Sequence, residues 1–339
     1  MKFTVIARNL TPIHSSDPVK STITLDGTIG APRGFPLVRM RTILLPYADG
    51  EGVLRTGRVP CVPQNTMRNL LRRAMLEQVM DALKGRGQID VGAYAGAYAG
   101  NATGTPEGVP SSFDETIKVR GHVFFGLFGG GPRMIKGRLS VDSLYPIHNH
   151  ASRVLDAGLE DRLVAGKITD TVWIRRVDPV SKVEESVAAE VIKGGGQAIT
   201  DWSISSLTNA RKAKEKDAEG GEEEASARGL NAFNAHEVVI PGIDWCWRFT
   251  ADQPSPAQVG LILKGIKNIA DLGMQVAGGH ARDYGQVAIE DVLIDGESVW
   301  AGDIYDQSTE PYFDALAVAL DDISAQDFED FVGSDKKGK

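Results

Sequence analysis

The sequence predicts an α+β protein, because two stretches have the periodicity of amphipathic helices and stretches around them have the patterns of strands. Apolar residues recur every three or four positions over 66–83 and again over 256–272, which places them on one face of a helix. Residues 3–8 and 286–294 fit strands instead. The 339 residues, 42% hydrophobic and 24% charged, are enough to bury a sizeable core without disulfides or a structural metal.

Local patterns predict the remaining elements in chain order. Residues 9–35 are polar with several glycines and predict loops or a short hairpin. Residues 38–45 predict extended chain, and 54–62 predict a loop or a strand. The stretch 85–111 is rich in Gly, Ala, Pro and Ser and contains a repeated Ala-Tyr-Ala-Gly tetrapeptide at 93–100, which predicts a loop. Helices are predicted around 153–165 and 311–331, and further strands at 135–144, 171–177, 187–192, 238–240 and 245–249.

The cysteine count and the lack of long apolar runs exclude several protein classes. Cys61 and Cys246 are the only cysteines, so neither a disulfide framework nor a four-cysteine zinc site is expected, and a reducing compartment is favoured. No run approaches the roughly 18 apolar residues of a membrane span. Residues 1–8 lack the apolar stretch of a signal peptide. We therefore expect a cytoplasmic protein with no membrane partner.

Charge is distributed unevenly along the chain. The formal net charge is −8, but residues 303–339 alone hold ten acidic residues and three lysines. Residues 1–80 hold 11 basic and 5 acidic residues. A basic face beside an acidic tail is compatible with a polyanionic partner, because binding depends on the local field and not on the total charge.

Signatures of common catalytic sites are incomplete in this sequence. The stretch around Lys167 superficially suggests a phosphate-binding Walker A loop, but Asp161 stands where its first glycine is required and Ile168 where Ser or Thr must follow the lysine. The His-Asn-His triplet at 148–150 has no third ligand at metal spacing and predicts a polar turn. No Gly-x-Ser-x-Gly elbow occurs. These patterns predict no catalytic residue, no metal site and no cofactor.

Five short motifs follow one another along the chain. Glycines in two of them allow positive φ angles and a close approach of a ligand to the backbone, where N–H groups can bind phosphate. The motifs are a helix start at 62–72 (Val-Pro-Gln-Asn-Thr-Met-Arg-Asn-Leu-Leu-Arg), a loop at 126–129 (Gly-Leu-Phe-Gly), a strand at 138–142 (Arg-Leu-Ser-Val-Asp), a strand entry at 239–245 (Val-Ile-Pro-Gly-Ile-Asp-Trp) and a loop at 278–287 (Gly-Gly-His-Ala-Arg-Asp-Tyr-Gly-Gln-Val).

In this order the motifs resemble those of the RAMP superfamily of CRISPR proteins, and within it the backbone subunits of the Cas-seven family. The helix start and the Trp-Cys-Trp segment at 245–247 look most like the backbone subunit of type IV systems. The resemblance implies a modified RRM-like palm, which is a ferredoxin-like βαββαβ fold, with large insertions that include a thumb β-hairpin. Its parts would be the first half of the palm with loop insertions at 1–150, the thumb and insertion region at 151–236, the second half of the palm at 237–300 and an acidic C-terminal helix and tail at 301–339.

The resemblance also implies a non-enzymatic function. Such subunits bind a guide RNA (crRNA), oligomerise head-to-tail along it, and present it for pairing with a target DNA or RNA, together with other effector subunits and a helicase. Because guides vary in sequence, contacts to phosphates and 2′-hydroxyl groups are expected, while base pairing selects the target. The expected RNA-binding residues are Arg68, Arg72 and Arg73, which helical phase predicts to be exposed, and Lys136, Arg138, Arg175, Arg176, His280 and Arg282.

The chain departs from the family pattern in three places. Residues 64–66 (Gln-Asn-Thr) replace the usual Gly-Ser-Ser but retain the chemistry of an N-cap. Asp283 stands where a glycine usually precedes the tyrosine, and the loop 30–34 lacks the aspartate with which type III relatives cut target RNA. Two alternatives remain open. One is a metal-dependent ribonuclease of the same superfamily that processes guide RNA or cleaves target RNA. The other is an RRM-like RNA-binding or scaffold protein unrelated to CRISPR, which would need aromatic residues on its central strands.

Overall fold

The chain forms two units. In the computed structural model, residues 1–18, 39–170 and 237–339 group into the first unit, and residues 19–38 and 171–236 into the second. The structure describes residues 1–19, 21–23, 35–100, 112–130, 135–176, 193, 197, 232–271, 275–277, 284–302 and 304–332.

Strands and helices alternate along the described chain, which confirms the α+β prediction. The strands are β1 (Lys2–Asn9), β2 (Ser21–Ile23), β3 (Phe35–Val38), β4 (Thr42–Ala48), β5 (Leu54–Pro60), β6 (Gly129–Gly130), β7 (Ile135–Lys136), β8 (Leu139–Pro146), β9 (Thr169–Arg176), β10 (Ala232–Val239), β11 (Asp244–Ala251), β12 (Val287–Ile294) and β13 (Glu297–Ser298). The α-helices are α1 (Gln64–Leu83), α2 (Val91–Ala99), α3 (Phe113–Gly121), α4 (Phe125–Phe128), α5 (Pro256–Asp271), α6 (Glu310–Asp321) and α7 (Ala325–Val332).

A five-stranded antiparallel sheet, in the order β13-β12-β1-β11-β8, is the centre of the first unit. Helix α1 lies between β1 and β8 along the chain, and α5 lies between β11 and β12. Four of the strands and these two helices therefore follow the succession β-α-β-β-α-β, with further elements inserted. The strands and helices predicted at 3–8, 66–83, 256–272 and 286–294 are confirmed as β1, α1, α5 and β12.

The main hydrophobic core lies between this sheet and helices α1 and α5. Phe3, Trp245 and Trp247 from the strands pack in one cluster with Leu71 of α1 and Ile262 of α5. The two helices approach closely at Gly265, where an added Cβ atom would lie 2.4 Å from the Cγ atom of Met75. Apolar periodicity in the two helices thus corresponds to a shared buried face.

Two predicted segments differ from the structure. The predicted loop over 85–111 contains helix α2, because alanine has the highest helix propensity and Ala93 and Ala97 are buried. The predicted helix around 153–165 is wrong, since the chain there makes only a 3-10 turn at Glu160–Arg162. Gly158 has a φ of +88°, which ends any helical run, so the leucines spaced four residues apart pack from turns.

The second unit contains a four-stranded sheet in the order β2-β3-β10-β9. Strand β3 is antiparallel to β2 and parallel to β10. The strands predicted at 171–177 and 238–240 correspond to β9 and β10, while the predicted strand at 187–192 lies outside the described residues. In the described part of the chain, no helix combines the length and apolar character needed to cross a membrane.

A buried asparagine joins the end of β1 to the fourth sequence motif. The Nδ2 atom of Asn9 donates to the carbonyl oxygens of Thr11 and Ile240, each at 2.9 Å. Its Oδ1 atom accepts from the backbone N–H of Ile243 at 2.9 Å and from the indole N–H of Trp245 at 3.3 Å. The side chain is fully buried, so each of these four bonds takes the place of a hydrogen bond to water.

The substitution Asn9→Ala should therefore destabilise the first unit strongly. It leaves two buried N–H groups and two half-buried carbonyls without this partner, which we expect to lower the free energy of unfolding by about 3 kcal/mol. Urea denaturation measures the change, with Asn69→Ala on the exposed side of α1 as the control, expected to stay within about 0.5 kcal/mol of the unaltered protein. Equal stability of the two variants would contradict the role assigned to Asn9.

Candidate nucleic-acid interface

A cleft of about 1290 Å³ opens at the end of the sheet where β1 begins. Three of the five sequence motifs line it: the first turns of α1, the end of α4 and the start of β8. Helix α3 and the end of β11 complete its walls. The charged side chains lining the cleft are Arg68, Arg120, Lys136, Arg138 and Asp252, so positive charge is in excess.

The N-terminal end of α1 contributes backbone polarity to the cleft. Gln64 and Asn65, the first two residues of the helix, both line it. The N-cap is Pro63, and no side chain caps the helix, so the predicted N-cap role of residues 64–66 is wrong. These residues already belong to the first turn. The first N–H groups of a helix have no intrahelical acceptor and carry partial positive charge, which adds to the charge of the cleft.

The Gly-Leu-Phe-Gly motif forms a tight turn that glycine alone can make. Gly129 has a φ of +58°, and an added Cβ atom would lie 2.2 Å from the carbonyl oxygen of Ile135. An added Cβ atom on Gly137 would lie 2.4 Å from the carbonyl oxygen of Leu127. The two chain segments pack backbone against backbone, which confirms the positive φ expected of this loop at Gly129 and shows a tight connection between chain segments. The approach of a ligand to this backbone stays a prediction. Residues 131–134 lie outside the described residues.

Arg68 joins the three motifs that line the cleft. From α1 its Nη1 atom donates to the carbonyl of Leu139 at 2.7 Å, and its Nη2 atom donates to the carbonyl of Phe128 at 2.6 Å. The guanidinium carbon lies 5.4 Å from the centroid of the Phe128 ring. Burial lowers the pKa of Arg68. Arg68 is half-buried, so it positions the cleft wall as well as contributing charge.

Arg72 is buried, and the prediction that it is exposed is wrong. Its side chain is 6% exposed and lies over the same Phe128 ring, with the guanidinium carbon 4.8 Å from the centroid. Gly100 packs against it, since an added Cβ atom there would lie 2.7 Å from Nη1. Burial, and secondarily the charge of Arg68, lower the pKa of Arg72 to about 10. The ring that covers it comes from a segment that the helical phase of α1 could not reveal.

Arg73 is exposed, as predicted, but does not line the cleft. Its guanidinium carbon lies 4.6 Å from the centroid of the Tyr98 ring on α2. This is a cation–π contact with a segment whose composition predicted a loop. Arg73 therefore belongs to a different surface from Arg68 and Lys136.

Lys136 is the most accessible cation of the cleft, whereas Arg138 is hydrogen-bonded to backbone carbonyls. The side chain of Lys136 is exposed and makes no hydrogen bond or ion pair with any described residue. Arg138 donates through Nη1 to the carbonyls of Asp252 at 3.0 Å and Gln253 at 2.6 Å, and through Nε to the carbonyl of Arg120 at 3.3 Å. These contacts hold its guanidinium group against the rim.

Arg120 is a cleft residue that was not predicted from the sequence. It lies in the last turn of α3, a helix that the pattern did not predict, and pairs with Asp252 at 3.3 Å. Its Nε atom is buried without a hydrogen-bond partner among the described residues. The basic residues Lys118 and Arg120, two positions apart, were the only signal in the sequence.

The remaining predicted RNA-binding residues are not part of this cleft. Arg175 and Arg176 end strand β9, and their side chains lie outside the described residues. His280 and Arg282 also lie outside the described residues. Their roles stay predictions.

The last two motifs meet at the other end of β1. The fourth is held there by Asn9, and the fifth by Gly285, whose N–H donates to the carbonyl of Pro12 at 2.8 Å. Gly285 has a φ of +85°, and an added Cβ atom would lie 2.0 Å from the carbonyl oxygen of Val276. Because β1 has eight residues, the two groups of motifs are separated by about 26 Å.

Residues 155–163 pack on part of the second face of the sheet. The carboxylate of Asp156 accepts from the ammonium of Lys2 and from the hydroxyl of Thr4, both at 2.6 Å, and lies 3.4 Å from Arg248. Leu155, Leu159 and Leu163 pack on an apolar cluster of this face that includes Ile6, Ile147 and Cys246.

The aromatic residues of the central strands point to the opposite, buried face. Trp245, Trp247 and Phe249 of β11 and Phe3 of β1 all belong to the main core beneath the helices. RRM domains stack bases on aromatic residues of an open sheet face. The described part of this sheet offers no such surface, which argues against the second alternative, an RRM-like protein that reads RNA on its sheet.

The His-Asn-His triplet forms a polar turn, as predicted. The Nδ1 atom of His148 accepts from the N–H of His150 at 3.1 Å, and its Nε2 atom lies 2.7 Å from the carbonyl of Gly166. Both cysteines are free and buried, and burial raises the pKa of Cys246 to about 12. Among the residues that the structure describes, no group of three or more His, Cys, Asp or Glu side chains could hold a metal ion.

The comparisons with known proteins found matches among solved structures. No family model and no curated protein matches it. Among solved structures, it is similar to a chain of a structure described as "Type IV-B CRISPR Complex", with a TM-score of 0.49 and 15% sequence identity over 86% of this chain and 90% of that chain.

A half-buried histidine with an enclosed Nε2 atom holds the segment that precedes the glycine turn. The Nδ1 atom of His122 accepts from the backbone N–H groups of Phe124 and Phe125, each at 3.1 Å. Its ring packs on Phe125 and meets the edge of the fully buried Phe328 from α7. Burial is the main reason that the pKa of His122 is lowered to about 4, and the nearby Asp327 carboxylate opposes the shift.

Lowering the pH should therefore destabilise the folded protein, because His122 takes up a proton more readily in the unfolded chain. In the unfolded chain this histidine takes up a proton near pH 6.5, whereas in the folded protein it stays neutral to about pH 4, so stability is lost as the pH falls between these values. Between pH 7 and pH 4.5 the loss due to this group should be about 2 kcal/mol. Urea denaturation at both pH values measures it.

His122→Asn is the matched variant, because an asparagine oxygen can accept the same N–H groups but does not titrate. The variant should lose less stability than the unaltered protein over this pH range. An identical loss in both proteins would show that His122 does not control the acid sensitivity.

Proposed function

We propose that this protein is a non-catalytic subunit of a type IV CRISPR effector complex, and that it binds guide RNA in the cationic cleft at the start of β1. Copies associate head-to-tail along the crRNA and form the backbone of the complex. The bound guide is presented for pairing with a target DNA or RNA, next to other effector subunits and a helicase.

The observation that carries the proposal is the convergence of three motifs on one cleft. The helix start, the Gly-Leu-Phe-Gly turn and the Arg-Leu strand are more than 50 residues apart from first to last, yet Arg68 binds the other two directly. These are motifs on which the resemblance to CRISPR backbone subunits was based. Their meeting place is a cleft with four cationic side chains and one carboxylate.

The charges of the cleft favour an anionic ligand. Arg68 and Arg72 are close together, partly or fully buried, and no carboxylate pairs with either among the described residues. Burial lowers the pKa values of both Arg68 and Arg72, which means that keeping the two side chains charged in the folded protein costs free energy. A phosphate group bound in the cleft beside Arg68 would reduce this cost, and it could also accept hydrogen bonds from the first N–H groups of α1.

The same features suit recognition of a guide whose sequence varies. Cationic side chains and backbone N–H groups contact phosphates, and such contacts position a nucleic acid without reading its bases. The Phe128 ring, the aromatic residue of the cleft, is already occupied on its face by guanidinium groups. The sequence of the target is then selected by base pairing with the guide.

Single-stranded RNA should bind the purified protein independently of sequence, and Lys136→Glu should weaken binding. The Lys136 side chain has no partner among the described residues, so the substitution reverses one cleft charge without breaking a hydrogen bond or ion pair in that part of the chain. Fluorescence anisotropy with two labelled RNAs of unrelated sequence measures affinity at several salt concentrations. The variant should bind at least about tenfold more weakly, and the salt slope should fall by about 0.7 for each phosphate that is no longer neutralised.

Lys84→Glu is the matched control, since it makes the same charge change at the C-terminal end of α1. The side chain of Lys84, the C-cap of α1, is exposed, and among the described residues it pairs only with the exposed Asp81. Equal weakening by both substitutions would show a general charge effect and contradict binding in the cleft. Gel analysis of the RNA after incubation with Mg²⁺ tests the ribonuclease alternative, which predicts shortened products.

Assembly along RNA should be visible when the chain is expressed alone and purified without nuclease. A head-to-tail contact does not close on itself, so the length of the bound RNA sets the number of copies. We expect a high ratio of absorbance at 260 nm to that at 280 nm and a mass of several protomers in light scattering, both of which collapse after RNase treatment. A nucleic-acid-free monomer that also fails to bind added RNA would refute the proposed function.

A further inference from the structure

The Ala-Tyr-Ala-Gly repeat places two tyrosine rings side by side on the surface. In α2, Tyr94 and Tyr98 are four residues apart and therefore lie on one face of the helix. Their rings stack with centroids 5.9 Å apart and planes inclined by 22°. The side chains are 44% and 37% exposed. All other residues of the helix are Gly, Ala or Val, so no long neighbour on α2 covers the rings.

A guanidinium group extends this stack. Arg73 of α1 lies over Tyr98 at 4.6 Å, so that a planar cation and two rings follow one another along the surface. Arg73 is exposed, and it has no carboxylate partner among the described residues. We define the Tyr98 platform as Arg73, Tyr94 and Tyr98.

Another set of residues fixes helix α2 in place. Ala93, Gly96 and Ala97 are the buried residues of the helix, and α2 contacts both α1 and α7. These small residues allow close packing on the side away from the rings. The two rings are therefore available for contact with another molecule.

The buried Arg72 lies between the cleft and the platform, which are separate surfaces at neighbouring turns of α1. This guanidinium lies against the Phe128 ring, which lines the cleft, and against Gly100, the residue that follows α2. Arg68, Arg72 and Arg73 thus run in order along α1 from the cleft to the platform. The distance along α1 from Gln64 to Arg73 is about 14 Å, which a few nucleotides of a single strand can span.

We propose that the Tyr98 platform is a second nucleic-acid contact, at which a base of the single strand leaving the cleft extends the stack on the exposed Tyr94 ring while Arg73 binds an adjoining phosphate. This inference rests on the proposed function and extends it to a site that none of the five motifs includes. Exposed aromatic rings beside a cation are the usual means of holding single strands without sequence preference, since every base has a flat face.

Two double variants separate stacking from simple apolar contact. Tyr94→Phe with Tyr98→Phe keeps both rings, whereas Tyr94→Leu with Tyr98→Leu keeps apolar side chains of good helix propensity but removes the rings. The full chain is tested with single-stranded RNA by anisotropy, after thermal unfolding has shown that both variants are folded. The phenylalanine variant should bind within about twofold of the unaltered protein, and the leucine variant about tenfold or more weakly.

Photo-crosslinking locates the contact. RNA that carries 5-iodouridine crosslinks to aromatic rings on which the base stacks, and mass spectrometry of the digested product identifies the attached peptide. Crosslinks should map to the peptide that contains Tyr94 and Tyr98 in the unaltered protein. They should persist in the phenylalanine variant and be lost in the leucine variant.

The outcomes distinguish this inference from the proposed function. If Lys136→Glu weakens binding while the leucine variant binds RNA normally and crosslinks map elsewhere, the platform is refuted and the cleft stands. If the leucine variant changes only the oligomeric mass at equal RNA affinity, the rings contact protein and the platform is again refuted. If the unaltered protein binds no RNA, both proposals fail together.

Discussion

The cleft depends on two arginines that share one aromatic ring. Arg68 and Arg72 are one helical turn apart on α1, and both guanidinium groups lie over Phe128. The arrangement brings two positive charges together in a partly buried site, which costs free energy. The Phe128 ring and the carbonyls of Phe128 and Leu139 stabilise the charges and offset this cost. Those same contacts fix the glycine turn and the start of β8. The structure therefore holds its cationic surface and its cleft geometry with one set of interactions, and neither can change without the other.

Periodicity predicted the elements that carry the core, because their patterns are long and repeat. Helices α1 and α5 and strands β1 and β12 lie where the apolar spacing placed them. Exposure of individual side chains was less predictable. Arg72 is polar and lies next to the exposed Arg73, yet it is buried because Phe128, more than 50 residues away, folds over it. A helical wheel contains no information about such a partner.

Low-complexity and turn-rich segments were misread for specific physical reasons. The Ala-Tyr-Ala-Gly repeat has a composition typical of loops, but its alanines favour a helix once Ala93 and Ala97 can be buried against other helices. Conversely, Leu155, Leu159 and Leu163 have helical spacing but pack on the sheet from turns, because Gly158 adopts a positive φ. The cleft residues Arg120 and Lys136 could be recognised as basic from the sequence, whereas their convergence depends on the fold.

The separation of the five motifs into two groups has a consequence for assembly. Three motifs form the cleft at the start of β1, and two lie about 26 Å away at its end. A single ligand site would not need motifs at both ends of one strand, but a subunit that repeats along a polymer needs two surfaces that face successive neighbours. Under the proposed function, head-to-tail stacking brings the second group of one copy towards the cleft of the next.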